Sequence, residues 1–127
     1  MKFGYLIIYV PNVHETIKFY ESAFKLSIKF IHEEGSYGEL DTGDTILAFA
    51  SESVRDMNSI KATDNRTTEL PAGAEIGLVT DDVQKSYDHA IETGAMPIKP
   101  PHLMPWGQTI SYVRDCNGFL VEICSKI

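Results

Sequence analysis

The chain carries one pattern of apolar and turn residues twice. Residues 5–28 match residues 75–98 at an offset of seventy, and residues 41–48 match residues 115–122 at an offset of seventy-four. A unit of about 60 residues buries too little apolar surface to be stable alone. Repeated units of that kind share a core or a sheet. We therefore expect a single domain over residues 1–127 that is built from two similar modules.

Each copy predicts the order strand, helix and three strands, which is a βαβββ module of an α+β fold. The first copy predicts strands over 4–10, 26–31, from Gly38 and over 45–50, with a helix that begins after Asn12. The second predicts strands over 75–80, 109–114 and 119–124, a helix from Asp81 or Asp82 to Gly94, and an extended stretch from Ile98 that prolines interrupt. The helix predictions depend on apolar residues at helical spacing and on N-cap residues. The strand predictions depend on runs of β-branched and aromatic residues.

The polar segment 51–73 has no counterpart in the other half and predicts a linker between modules 1–50 and 74–127. A segment of this length is either a flexible tie or a lid over a site, and the sequence leaves both open.

Charge and cysteine content restrict the partners. The formal net charge is −7, which disfavours nucleic acid and anionic membranes. The same charge would attract a cationic small molecule, although it also suits an ordinary solubilising surface. No apolar run is long enough to span a membrane. Cys116 and Cys124 suggest no disulfide framework, so we expect a reduced, cytoplasmic protein.

Several local motifs resemble the glyoxalase / bleomycin-resistance / extradiol-dioxygenase superfamily, also called vicinal oxygen chelate proteins. They are Val10–Val13 with Ile17–Tyr20, and, near the C-terminus, Pro105–Gly107, Tyr112–Asp115 and Asn117–Ile123. The resemblance implies that two βαβββ modules form a half-open, cupped barrel with a ligand site in the cup. It also implies a homodimer, and metal ligands on the first and last strand of each module.

Carried over to this chain, the four ligand positions are Tyr5, Ala48, Glu75 and Glu122. Zinc, nickel and iron(II) favour imidazole or thiolate ligands, and Ala48 cannot bind a metal at all. The set therefore predicts no metal and no other cofactor. If a divalent metal ion does bind, Glu75, Glu122 and Tyr5 are its candidate ligands. His102 is the best histidine outside this set, but a loop histidine usually belongs to the surface.

Strand alternation places Glu122 on the face opposite Val121 and Ile123, where a carboxylate needs a partner if it is buried. Tyr5 and Ile7 share a face in the same way, and Trp106 lies where bleomycin-resistance relatives place an aromatic residue beside the ligand. Aromatic rings and carboxylates suit a flat, partly cationic molecule. The predicted ligand-binding residues are Tyr5, Ile7, Ala48, Glu75, Trp106, Tyr112 and Glu122, although Trp106 and Tyr112 also suit packing roles.

The sequence thus favours metal-independent binding and sequestration of a small aromatic or cationic molecule, as in bleomycin-resistance-type proteins. The alternative is a metal-dependent lyase, isomerase or dioxygenase of the same superfamily, in which Glu75 and Glu122 would be the catalytic residues. Two close carboxylates can act as an acid–base pair because each changes the pKa of the other. The sequence does not fix the distance between them.

Overall fold

The computed structural model describes residues 1–127 and contains two βαβββ modules, as the repeat predicts. The first comprises β1 (Tyr5–Val10), α1 (Val13–Phe24), β2 (Ile28–Ile31), β3 (Tyr37–Leu40) and β4 (Ile46–Ser51), and a short helix α2 (Glu52–Met57) follows it. The second comprises β5 (Glu75–Val79), α3 (Val83–Glu92), β6 (Met96–Leu103), β7 (Thr109–Arg114) and β8 (Leu120–Cys124). None of the helices has the length and apolar character that crossing a bilayer requires.

The chain divides into a first unit, Met1–Asp64, and a second unit, Asn65–Ile127. Each unit holds one four-stranded sheet, with strand order β1-β4-β3-β2 in the first and β5-β8-β7-β6 in the second. In both sheets the first and last strands of the module are parallel neighbours, and the remaining pairs are antiparallel. The two sheets therefore repeat the same topology, and the first and last strands of each module lie side by side.

Both long helices begin where the sequence predicts. The Asn12 side chain accepts a hydrogen bond from the Glu15 backbone N–H at 2.9 Å. Asp82, rather than Asp81, caps α3 by accepting from the Lys85 N–H at 3.0 Å. Such caps satisfy backbone donors that the first helical turn leaves without partners.

The helices cover one face of their sheets and form the core of each unit. The buried helical residues include Val13, Ile17 and Tyr20 in α1 and Val83, Tyr87 and Ala90 in α3. The strands contribute alternate residues to the same core, among them Ile8, Val10, Phe49, Val121 and Ile123. The helices thus leave the opposite face of each sheet uncovered.

Two elements differ from the sequence prediction. Prolines do not interrupt the stretch after Gly94, because β6 runs continuously through Pro97, Pro100 and Pro101. β6 is an edge strand, where a missing N–H breaks no ladder hydrogen bond, and its pairing with β7 shifts register twice. The predicted linker also contains α2, which the polar sequence of that segment did not predict.

Candidate functional site

Glu75 and Glu122 lie on the face of the second sheet that α3 does not cover. β5 and β8 are parallel neighbours in which Gly77 lies opposite Glu122, and Glu75 precedes Gly77 by two residues. Residues two apart on a strand share a face. The strand register therefore makes the side chains of Glu75 and Glu122 diagonal neighbours on one face of the sheet. We call these two residues the carboxyl pair.

Tyr112 completes this cluster from the neighbouring strand. It lies directly opposite Glu122 in the β7–β8 ladder, and its hydroxyl donates a hydrogen bond to Oε2 of Glu122 at 2.9 Å. Partial burial, then this hydrogen bond and the nearby negative charge, raise the pKa of Tyr112 to about 12. Tyr112 is therefore a stable donor to Glu122 at neutral pH.

The environment of the carboxyl pair disfavours two negative charges. The pKa of Glu75 is raised, first by desolvation and then by its hydrogen bond and charge interaction with Glu122. No lysine or arginine forms an ion pair with either carboxylate. Desolvation and Glu122 also raise the pKa of the neighbouring Cys124 thiol to about 11, so that Cys124 remains a neutral thiol.

The first unit brings Tyr5, Ile7 and Ala48 together on the corresponding face of its own sheet. Ile7 lies opposite Ala48 in the parallel β1–β4 ladder, and Tyr5 precedes Ile7 by two residues. The side chains of Tyr5 and Ile7 are 57% and 43% exposed, whereas Ala48 is fully buried. This part of the predicted set is thus an apolar and aromatic surface without a carboxylate.

The sequence analysis missed a charged cluster on the same face of the first sheet. Glu39 of β3 is buried and lies opposite Ala48 of β4. It accepts a hydrogen bond from the Tyr37 hydroxyl at 2.9 Å and forms an ion pair with Lys29 at 3.4 Å. The signal available was the alternation in Tyr37–Leu40, where Leu40 and Gly38 face the helix and Tyr37 and Glu39 do not.

Trp106 lies in the loop between β6 and β7 and is 61% exposed. Its indole N–H donates to Oε1 of Gln108 at 3.0 Å, and the amide of Gln108 in turn donates to the Ser125 carbonyl at 2.9 Å. These bonds hold the ring at the surface of the second unit. Among the predicted residues, the structure therefore groups Glu75, Tyr112 and Glu122 in one cluster and Tyr5, Ile7 and Ala48 in another.

The donor atoms at the four carried-over positions do not fit a resident zinc, nickel or iron ion. Tyr5 offers a phenol, Ala48 offers nothing, and the carboxyl pair lacks an imidazole partner. No group of three or more His, Cys, Asp or Glu side chains is placed to hold a metal ion. His102 lies in β6, and its ring nitrogen Nδ1 is 3.0 Å from the Pro100 carbonyl oxygen.

Comparison with known proteins decides the family. The family model of the glyoxalase-like domain matches residues 3–127. The chain belongs to this family. Its fold is the glyoxalase/bleomycin-resistance fold, as the local motifs predicted.

Individual relatives agree with this assignment. The chain is 26% identical over 126 residues to the uncharacterized protein YraH of Bacillus subtilis (strain 168). The match covers 97% of each chain. A crystal structure of a glyoxalase-related enzyme from Fulvimarina pelagi is similar with a TM-score of 0.84 at 15% identity, over 99% of this chain and 88% of the other. A glyoxalase/bleomycin resistance protein/dioxygenase family enzyme from Burkholderia phytofirmans PsJN gives a TM-score of 0.78 at 18% identity, over 100% of both chains. At these identities the solved structures support the fold alone, because this fold carries many activities.

Proposed function

We propose that this protein binds a small cationic, aromatic molecule without the help of a metal ion, and that the carboxyl pair receives the positive charge. The observation that carries the proposal is that Glu75 and Glu122 are neighbours on one face of the sheet and that neither forms an ion pair with a lysine or arginine. Two adjacent carboxylates repel each other, and a cation between them removes that repulsion. The formal net charge of −7 further favours the approach of a cation.

The first unit provides an internal comparison. Its carboxylate, Glu39, already has Lys29 as a counter-ion and Tyr37 as a hydrogen-bond donor. Glu122 also accepts a hydrogen bond from a tyrosine hydroxyl, that of Tyr112, but forms no ion pair with a lysine or arginine. The first unit thus has a carboxylate with a counter-ion, and the second has a carboxyl pair that can accept a cation.

Space for a ligand beside Glu122 comes from Gly77. This glycine lies opposite Glu122 in the ladder, and a Cβ atom built on it would meet nothing within 4 Å. A larger residue at this position would cover the Glu122 carboxylate from the β5 side. The absence of a side chain thus keeps one side of the carboxyl pair open.

The aromatic part of the ligand has a candidate partner in Trp106 of the second unit, which exposes a large apolar surface. Exposed aromatic rings bind flat cations by stacking and by cation–π contact. The roles of Trp106, Tyr5, Ile7 and Ala48 in binding remain predictions from the sequence.

A pair of dyes of similar shape and different charge tests the proposal. Proflavine is a flat three-ring cation, and acridone is a neutral three-ring molecule. We expect proflavine to bind at least about tenfold more tightly, a difference of about 1.4 kcal/mol. Equal affinity for the two dyes, or binding of neither, would contradict the proposal.

The competing function is that of a metal-dependent lyase, isomerase or dioxygenase, as in other members of the superfamily. Elemental analysis of the purified protein after extensive dialysis separates the two. We expect less than stoichiometric zinc, nickel, iron and manganese, and proflavine binding that a chelator does not change. A tightly held stoichiometric metal would instead support the enzyme.

A further inference from the structure

We propose that Asn117 is a site of spontaneous deamidation and that residues 66–69, which we call the docked segment, keep this site closed in the folded protein. Deamidation converts an asparagine into aspartate or isoaspartate without an enzyme. The inference concerns the turn between β7 and β8 and does not depend on the proposed ligand. It is based on the sequence Asn117-Gly118 and on the packing around Gly118.

The sequence Asn-Gly suits this reaction because glycine has no side chain that hinders its backbone nitrogen. The nitrogen of Gly118 attacks Cγ of Asn117 and forms a carbon–nitrogen bond. The side-chain amide nitrogen of Asn117 leaves as ammonia and takes the proton that the Gly118 nitrogen loses. Water then opens the cyclic succinimide at either carbonyl. One product is aspartate, and the other is isoaspartate, whose backbone contains an extra methylene group.

The folded turn already uses the backbone nitrogen that would attack. The Gly118 N–H donates a hydrogen bond to the Asp115 carbonyl oxygen at 3.0 Å. Oδ1 of Asp115 accepts from the N–H of Asn117 at 2.8 Å and from that of Phe119 at 2.9 Å, so the backbone is fixed on both sides of Gly118. The nitrogen must lose its hydrogen bond and rotate toward the Asn117 side chain before it can attack.

The docked segment leaves Gly118 no space for that rotation. The segment and the turn belong to the same unit. A Cβ atom built on Gly118 would lie 2.6 Å from the Arg66 carbonyl oxygen and 2.5 Å from Nη2 of Arg114. Arg114 joins the two parts, because its Nε donates to the Gly118 carbonyl at 2.7 Å and its Nη2 donates to the Glu69 carbonyl at 2.7 Å. The reaction therefore requires that the segment first move away.

The isoaspartate product does not fit the turn. Asp115 is fully buried, and its carboxylate accepts from the two N–H groups on either side of Gly118. An extra methylene group at residue 117 moves the Phe119 N–H out of register with that carboxylate. A chain that has reacted therefore cannot rebuild the turn when the docked segment returns.

Peptide mapping by mass spectrometry measures the reaction in folded protein and in guanidinium chloride at the same mildly alkaline pH. In denaturant, Asn117 should deamidate faster than Asn58 and Asn65, which precede serine and arginine. In the folded protein, Asn117 should react at least about tenfold more slowly than in denaturant, because local opening must come first. Equal rates at Asn117 in the two conditions, or no preference for Asn117 in denaturant, would overturn the proposal.

R114K tests the role of the docked segment. Lysine lacks the planar fork that holds several carbonyl oxygens, so Asn117 should react at least about threefold faster than in the wild type. V83A is the control, since it removes a buried contact from the core of the same unit and keeps Arg114. While V83A remains folded, its rate should match the wild type.

T67G/T68G gives a second way to release the segment, and it serves if R114K does not fold. The two glycines favour the undocked segment by their greater backbone freedom, and Arg114 is unchanged. Hydrogen exchange at residues 66–69 should become faster together with deamidation at Asn117. Faster exchange with a wild-type deamidation rate would overturn the proposal. So would a V83A rate as fast as that of the released variants, because global unfolding would then explain the reaction.

Discussion

Glu39 and Glu122 differ in one decisive respect, although each accepts a hydrogen bond from a tyrosine. Glu39 is neutralised by Lys29, and Glu122 faces a second carboxyl, Glu75. The ion pair between Glu39 and Lys29 is complete without a ligand. The carboxyl pair is partly exposed and carries unbalanced charge, so it is the group that gains most from a bound cation.

The raised pKa of Glu75 predicts a pH-dependent effect on stability in the E75Q variant. The folded protein holds the Glu75 proton more tightly than the unfolded chain does, so ionisation of Glu75 destabilises the fold above the ordinary pKa of 4.5. Below that pH both states are protonated and the effect disappears. E75Q should therefore raise the melting temperature at neutral pH and leave it nearly unchanged near pH 4.

Because Glu75 is largely exposed, solvent screening limits this gain to about 1 kcal/mol at most. Calorimetric melting of wild type and E75Q across the pH range gives the measurement. E92Q changes another exposed glutamate of the second unit and is the matched control. A loss of stability in E75Q at neutral pH would contradict the assigned environment of Glu75.

Part of the site could be predicted from single residues and part could not. The strand alternation that places Glu122 on the face opposite Val121 and Ile123 is a local pattern. The structure confirms it, because Val121 and Ile123 are both buried. The proximity of Glu75 and Glu122 depends on the register of β5 against β8, which no local pattern specifies. The alternation in Tyr37–Leu40 was a local signal for Glu39, but its ion pair with Lys29, on another strand, could not be predicted locally.

The edge strand β5 carries the residue that keeps the site open. Gly77 has no nearby atoms where a Cβ would lie, and its backbone does not adopt a positive φ. G77V should therefore fold normally, since valine favours strands. The added side chain should cover Glu122 and weaken proflavine binding by at least about tenfold, or about 1.4 kcal/mol.

Fluorescence titration together with a melting curve measures both effects of G77V. G77A is the graded control, because a single methyl group fills less of the space and should weaken binding less. Wild-type affinity in G77V would mean that the ligand does not approach Glu122 beside β5.

Arg114 holds part of the predicted linker against the second unit. Its buried guanidinium donates to the carbonyl oxygens of Gly118 at 2.7 Å, Glu69 at 2.7 Å and Arg66 at 3.1 Å. Lysine keeps the charge but lacks the planar fork that serves several acceptors. R114K should lower the free energy of unfolding by about 2–3 kcal/mol, because hydrogen bonds to a charged group are lost in a buried place.

Urea unfolding measures the loss in R114K, and hydrogen exchange should become faster at residues 66–69. R66K is the comparison, since Arg66 is only half-buried and its side chain donates to the neighbouring Asn65 carbonyl at 2.8 Å. An R114K variant as stable as the wild type would show that the hydrogen bonds to these three carbonyl oxygens contribute little.

Elements with local signals were predicted well. The caps at Asn12 and Asp82 and the helical spacing that follows them specify α1 and α3, and β7 has the predicted bounds. The prediction that prolines interrupt β6 was wrong. A strand accommodates prolines at the edge of a sheet, and the position of β6 at the edge is not a local property of its sequence. The six-residue helix α2 is too short for a periodic pattern to emerge.

At the scale of the whole molecule, the internal repeat and the local motifs together were enough to predict the fold and the family, both of which are confirmed. It was not enough to predict the function, because the two copies share topology but not the residues at equivalent positions. Ala48 and Glu122 occupy the same place in the two sheets and differ completely in chemistry. Whether the two units form a single domain stays a prediction.

The family precedent predicts a homodimer. Phe3, Tyr5, Leu6 and Ile7 expose apolar surface on and before β1, and clusters of this kind often mark protein interfaces. Sedimentation equilibrium should therefore give about twice the 14.2 kDa chain mass, independent of added metal. A monomer at micromolar concentration would contradict this prediction.

The most direct test of the cation site is the dissociation constant of proflavine for chelator-treated wild type, E122Q and E92Q. E122Q removes the negative charge that accepts the cation and keeps the size of the side chain. We predict that E122Q weakens binding by at least about tenfold, or about 1.4 kcal/mol, while E92Q matches the wild type. Equal affinity of all three proteins would contradict a site built on Glu122.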